Sequence, residues 1–215
     1  MLEQYPGYYQ DRWGREEILI ENNGHELQIW IREVEFRGTD FDSLEPQADP
    51  QVLALKQLGL YIGCLCSYTL DWTMPIPVIQ GAEETPALLQ VHLTPGDPRP
   101  PPRGGLDVET LQLTLEVAQQ TYQSRGISGW FVDELTDLEQ ALPMGTHLKV
   151  CATCALGGYH PAGFGSFGGL ACFRDNKQAF RAVKTKSDLF RVWPTRTEFV
   201  QETYVCPQFE LASQP

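Results

Sequence analysis

Arg15-Glu16-Glu17-Ile18-Leu19-Ile20-Glu21-Asn22 and Glu26-Leu27-Gln28-Ile29-Trp30-Ile31-Arg32-Glu33-Val34-Glu35-Phe36 lie on either side of an Asn22-Asn23-Gly24-His25 turn. Apolar and polar residues alternate along both arms, the period of a strand with one face buried. Asparagine and glycine supply the backbone conformations a tight turn needs, so the segment predicts an antiparallel hairpin. Leu27, Ile29 and Ile31 share one face of the second arm, and Val34 and Phe36 resume it one residue out of phase. That shift predicts a bulge near Arg32.

Working outward, Leu111, Leu113, Leu115 and Val117 alternate with Gln112, Thr114 and Glu116, a further strand. Leu88 to Leu93 reads as another, and Ile62 to Met74 as a strand that becomes an edge at Pro75-Ile76-Pro77, where proline removes ladder donors. Val52 to Leu60 fits a short helix or a strand. Phe131, Leu135, Leu138 and Leu142 fall four, three and four apart, which predicts an amphipathic helix over Trp130 to Leu142, closed by Pro143. Asp133, Glu134 and Asp137 near its start complement the helix dipole, and Asp133 with Asp137 reads as a solvated face rather than an acid/base pair. Beyond it come strands at Thr146 to Cys151 and Leu170 to Arg174, a short helix near Asn176 to Val183, and strands around Phe190 to Trp193 and Phe199 to Val205. The fold class is α+β: a mostly antiparallel sheet or sandwich with one clear helix and a cysteine-bearing C-terminal third. The proline-rich Pro98 to Gly105 reads as a surface loop inside one domain of 215 residues; the alternative is a linker between a β-rich 1–105 and a helix-plus-knuckle 106–215.

Composition, with 42% hydrophobic and 20% charged residues, is that of a globular chain and excludes a disordered or collagen-like one. No apolar run approaches the roughly 20 residues that span a bilayer. Met1 to Pro6 lacks the basic and apolar regions of a secretory signal, so a reducing cytoplasm is expected, where six cysteines are thiols or metal ligands rather than disulfides. The net charge of −12 argues against wholesale nucleic-acid binding. Charge is uneven: residues 1–172 carry −14, and residues 173–215 carry +2 through Arg174, Lys177, Arg181, Lys184, Lys186, Arg191 and Arg196. That stretch reads either as an anion-binding patch or as a solvated face.

Cys151-Ala152-Thr153-Cys154 sets two thiols two residues apart, the spacing that lets a tight turn aim both sulfurs at one tetrahedral ion. With Cys172 and Cys206 they form C-x2-C-x17-C-x33-C, a candidate structural zinc site of four cysteines. His160 is the competing fourth ligand. Cysteine is also a small core residue, and Cys64 and Cys66 read that way. Gly163-Phe164-Gly165-Ser166-Phe167-Gly168 matches a dinucleotide-binding fingerprint in spelling alone, since neither a feeding strand nor a following helix surrounds it. The function read from these features is a non-enzymatic protein-binding or regulatory protein, with an immunity-like neutraliser of basic toxins as one version. The rival is a small metal-dependent enzyme or a hydrolase near the Gly-rich loop 157–169, using Glu202 or Asp188.

Phe41-Asp42-Ser43-Leu44-Glu45-Pro46, Leu70-Asp71-Trp72-Thr73-Met74-Pro75, Ser128-Gly129-Trp130-Phe131, the Cys151–Cys154 pair, Phe167 to Arg174 and Phe199 to Pro207 resemble a family of uncharacterised bacterial proteins catalogued as a domain of unknown function. The resemblance implies a stand-alone cytoplasmic bacterial protein with the four cysteines in motif positions. It implies no activity. The chain departs from it at Leu211 to Pro215, where an Arg- and Gly-rich tail is expected.

Overall fold

The computed structural model describes residues 2–212, so Met1 and the Ser213-Gln214-Pro215 end of the tail lie outside the described residues. Strands β1 (Glu3–Asp11), β2 (Gly14–Asn22), β3 (Leu27–Ile31), β4 (Val34–Gly38) and β5 (Glu45–Pro46) run on one another as an antiparallel meander. Helix α1 (Pro50–Lys56) and the small hairpin β6 (Leu60–Tyr61) and β7 (Cys64–Leu65) lead to the long strands β8 (Thr69–Gln80) and β9 (Glu83–Pro95). β10 (Glu109–Val117), β11 (Gln120–Gln123), helix α2 (Phe131–Ala141) and β12 (Thr146–Leu148) follow. The sheet has ten strands in the order β11-β10-β9-β8-β1-β2-β3-β4-β5, with β12 added beside β8. It is one sheet rather than a sandwich, and among the described residues no helix is long and apolar enough to cross a membrane.

Alternation decides which face is buried. Ile18 and Ile20, Leu27, Ile29 and Ile31, Leu70, Trp72, Met74, Ile76 and Val78, and Leu111, Leu113 and Leu115 all point to one side and are buried. Helix α2 lays Phe131, Leu135 and Leu138 onto that side, as its four-three spacing requires. At the centre Phe41, Trp72, Phe131 and Phe167 pack ring against ring, with centroids 4.6 Å apart for Phe41–Trp72 and for Phe131–Phe167. Joining the β1–β5 meander to β8 over this cluster needs β1 and β8 to approach closely at Gly7. A Cβ there would stand 2.3 Å from the Asp71 carbonyl oxygen and 2.8 Å from Trp72 Cβ.

Several local expectations are corrected. The phase shift at Arg32 is a second hairpin turn rather than a bulge: Arg32 and Glu33 both take positive φ, 50° and 66°, and connect β3 to β4. Strand β8 runs straight through Pro75 and Pro77. Its far side is bonded to β1 only over Thr69–Trp72 and to β12 only over Val78–Gln80, so the prolines fall where no second ladder asks for their missing donors. Residues 62–68 belong to the β6–β7 hairpin and the bend after it, and Val52 to Lys56 is helical. The segment Pro98 to Gly105 is a loop joining the paired strands β9 and β10.

Past β12 the chain forms a second, small sheet of β13 (Gly157–Gly158), β14 (Leu170–Cys172) and β15 (Glu198–Val200). Helices α3 (Lys177–Arg181) and α4 (Lys186–Val192) sit between β14 and β15. The strand expected at Phe190 to Trp193 is therefore helical, started by a Thr185–Asp188 capping box. Phe199 to Val205 is strand only as far as Val200.

Gly7→Ala tests the close approach of β1 and β8. The Cβ forces the two backbones apart, and the expected loss of stability is about 1–3 kcal/mol in a guanidinium chloride titration. A variant as stable as the parent shows that the two strands are not held that tightly.

Candidate functional site

The cysteines of the C-x2-C-x17-C-x33-C pattern come from three pieces of chain: the turn that carries Cys151 and Cys154, strand β14 with Cys172, and the segment after β15 with Cys206. Val150, buried, brings the chain off β12 into a single 3-10 turn, Cys151–Thr153, in which Cys154 N–H donates to Cys151 O (3.1 Å). The turn is braced from behind: Cys151 N–H donates to Tyr204 O (2.9 Å) and Ala152 N–H to Glu202 O (3.0 Å). Cys172 ends β14, facing Gly157 on one side and Glu198 on the other. Cys206 follows the bracing segment and opens the next turn.

Cys151, Cys154, Cys172 and Cys206 line one cavity of about 10 Å³, with Leu156, Leu170 and Val200 as its apolar walls. That volume is close to the least that holds a single water-sized guest. Two donors are directed at sulfur: Gln208 N–H at Cys206 Sγ (3.3 Å) and Arg174 Nη1 at Cys172 Sγ (3.8 Å). All six cysteines are free thiols. Burial pushes the Cys151 thiol up, and the neighbouring Cys154, Cys206 and Cys172 push it further. Among the described residues no group of three or more His, Cys, Asp or Glu is drawn into metal-holding geometry. In number and chemistry the donors fit a soft tetrahedral ion.

His160 is elsewhere. Its ring sits edge-on to Phe190 and Trp193, 5.5 and 4.8 Å between centroids, and its Nδ1 accepts from Ala162 N–H (3.2 Å). Cys64 and Cys66 line a different cleft of about 290 Å³ together with Phe41, Asp42, Glu109 and Ser166.

The Gly-rich loop has a role that its spelling did not suggest. Two buried carboxylates reach into it from opposite ends of the chain. Asp40, in the turn after β4, accepts from Ser166 Oγ (2.6 Å) and Phe167 N–H (2.9 Å). Glu202 accepts from Gly168 N–H (2.6 Å) and from the Tyr159 hydroxyl (3.1 Å). A Cβ on Gly165 would lie 2.2 Å from Asp40 Oδ2, and Gly168, at φ +83°, would meet Thr39 O at 2.7 Å. The glycines are there because the backbone wraps an internal carboxylate, the same donor-rich curvature that elsewhere cradles phosphate. Glu202 has both oxygens engaged and is sealed from solvent. Asp188 caps α4. Neither carboxylate proposed for a hydrolase is presented to a cleft.

The remaining candidates resolve as surface structure. Asp137 takes both ends of the Arg125 guanidinium (2.6 and 2.7 Å), and Asp133 accepts from Ser128 Oγ (2.7 Å). The charge in that helix with a buried task is Glu134, which accepts from the N–H groups of Gly126, Ile127 and Ser128. In the basic stretch Arg174 pairs with Glu198, Lys177 and Arg181 with Glu210, and Arg191 with Asp188. Lys184, Lys186 and Arg196 have no carboxylate partner among the described residues, and Arg196 lies on the Phe199 ring at 4.6 Å. Most of the positive charge is thus neutralised locally.

Burial and repulsion from Asp42 push the Asp40 carboxyl up to about 6, and burial pushes Glu202 up to about 7. A carboxyl raised in the folded state holds protons that the unfolded chain has released. Its contribution to stability therefore grows as pH falls from about 7 towards the unfolded value near 4. The guanidinium midpoint should fall between about pH 5.5 and pH 8, and the slope should flatten in Asp40→Asn and Glu202→Gln measured in the same buffers. Variants that keep the parent's slope rule these two groups out as its source.

Comparison with known proteins follows the large sheet. No curated protein and no solved structure matches the chain. The sequence model of a family of unknown function (DUF6304) matches residues 3–157, which take in every strand of that sheet, helix α2 and the Cys151–Cys154 knuckle but stop short of Cys172 and Cys206. A match over that much of the chain makes it a member of this family.

Proposed function

We propose that the chain is a non-enzymatic protein-binding or regulatory protein of the reducing cytoplasm. In this reading its C-terminal third is held by a structural zinc ion on Cys151, Cys154, Cys172 and Cys206. The observation that carries the metal half is the convergence of four cysteines, spread over 55 residues of sequence, on one ion-sized cavity. Four thiolates leave no open position, so such an ion would act on folding rather than on a substrate. The N–H of Gln208 and the guanidinium of Arg174, both aimed at sulfur, are the donors that would stabilise thiolate charge.

The binding half rests on charge and on how the polar groups are spent. A net charge of −12 steers cationic partners towards the surface. Of the two carboxylates named for a hydrolase, Glu202 is committed to the Gly-rich loop and Asp188 to the capping box of α4. Ser166, the serine lining the 290 Å³ cleft, donates its hydroxyl hydrogen bond to Asp40, and no histidine lines that cleft. This favours recognition over hydrolysis.

Protein purified without chelator should contain stoichiometric zinc by elemental analysis. Cys172→Ser should lose it and become sensitive to proteolysis between residues 150 and 212 while the large sheet stays folded. Protein without metal, in which Cys172→Ser leaves protease resistance unchanged, overturns the metal reading.

A further inference from the structure

One face of the large sheet carries the core, and the other is open to solvent. Register places a row across it: Tyr8 opposes Glu17 on one side and Asp71 on the other, Asp71 opposes His92, and His92 opposes Gln112. These side chains line a cleft of about 470 Å³ where β1 and β8 part beyond Gly7. The next row is apolar. Pro6 opposes Leu19, and Leu19 stands across from Trp30, one residue beyond the Ile20–Ile29 pair. Trp30 is 50% exposed and Leu19 42%, large side chains left in water beside the cleft.

Charge surrounds this strip unequally. Glu17, Glu21, Glu35 and Asp71 face outward around it, against Arg15, Arg37 and His92, whose Nδ1 lies 2.6 Å from Asp71 Oδ1. Arg37 is already bound to Glu35. Arg15 lies over the Tyr8 ring, 4.0 Å from its centroid, so the ring between the two carboxylates Glu17 and Asp71 already takes a guanidinium from the chain itself. Glu17 has no hydrogen-bond or ion-pair partner among the described residues.

We propose that this face, centred on Trp30, Leu19 and Tyr8, docks a basic polypeptide segment bearing an apolar anchor. A lysine or arginine of that segment enters the cleft between Glu17 and Asp71. The proposal rests on the protein-binding reading above and names its surface and partner chemistry. An exposed tryptophan beside a cleft is the residue type that concentrates binding energy, and the surrounding carboxylates select for positive charge. A second copy of the chain is the poorer occupant. A two-fold contact would lay these carboxylates against themselves.

The test uses the full chain and a fluorescent octapeptide of alternating arginine and leucine, with an octapeptide of alternating glutamate and leucine as control. Anisotropy should show micromolar binding of the basic peptide at low salt, weakened about tenfold or more when salt is raised to about 300 mM. Trp30→Ala, and separately the pair Glu17→Gln with Asp71→Asn, should each cost about tenfold or more. Glu83→Gln, at the β8–β9 turn, should cost nothing. Trp30, Glu17 and Glu83 are exposed and Asp71 is half-buried, and unchanged denaturation midpoints certify the fold. The proposal is overturned by absence of binding, by equal binding of the acidic peptide, or by variants that bind like the parent. It is equally overturned by a self-association that Trp30→Ala abolishes. Because metal content is measured separately, loss of peptide binding in zinc-containing protein sinks this surface alone, and peptide binding by metal-free protein sinks the zinc reading alone.

Discussion

Asp40 and Glu202 hold the junction between the large sheet and the C-terminal third. Each is an acid taken out of water, which is costly unless its oxygens are met by donors. Ser166, Phe167, Gly168 and Tyr159 meet them. The same bonds set Phe167 into the aromatic cluster with Phe41 and Phe131, so the electrostatic requirement and the packing of the core are satisfied by one loop. Glu202 also reaches the cysteine turn, because its own carbonyl accepts from Ala152. Loop, core and knuckle are therefore consequences of where two carboxylates are buried.

The cysteine cavity depends on that junction. Cys151 and Cys154 are brought together by the chain's local turn, but Cys172 and Cys206 arrive only because β14 pairs with β13 and β15 and because the 202–204 segment lies along the turn. Burial and the three neighbouring cysteines push the Cys151 thiol up, so its sulfur is held as a thiol in the folded chain. Family membership extends over residues 3–157 and so reaches the first pair alone.

Much of the fold was legible because alternation is a local property. A one-residue slip would turn Ile18, Ile20, Leu27 and Ile29 into water, so their spacing alone selects the buried face of the hairpin, and α2 announces itself by Phe131, Leu135 and Leu138 in the same way. The misreadings share another cause. The edge expected at Pro75 to Pro77 is there, since β1 and β12 leave that side of β8 unpaired, but the strand does not end at it: pairing with β9 and then β12 carries it on to Gln80, and those partners have no signature in the proline's own segment. Glu134 read as one of three acids complementing a helix dipole and Glu202 as a hydrolase candidate beside Asp188; only the N–H groups that surround them distinguish them from Asp137 and Asp188.

The sequence by itself determined the β-rich α+β class, the hairpin, the helix and the C-x-x-C turn, since each depends on residues a few positions apart. Tertiary structure decided the rest. It made the Gly-rich loop a cradle for carboxylates from Asp40 and Glu202, gathered Cys172 and Cys206 beside the first pair, and left Trp30 exposed next to an acidic cleft. These outcomes join residues separated by up to 127 positions along the chain, and such contacts are set by how strands pair and layers pack, not by any local pattern.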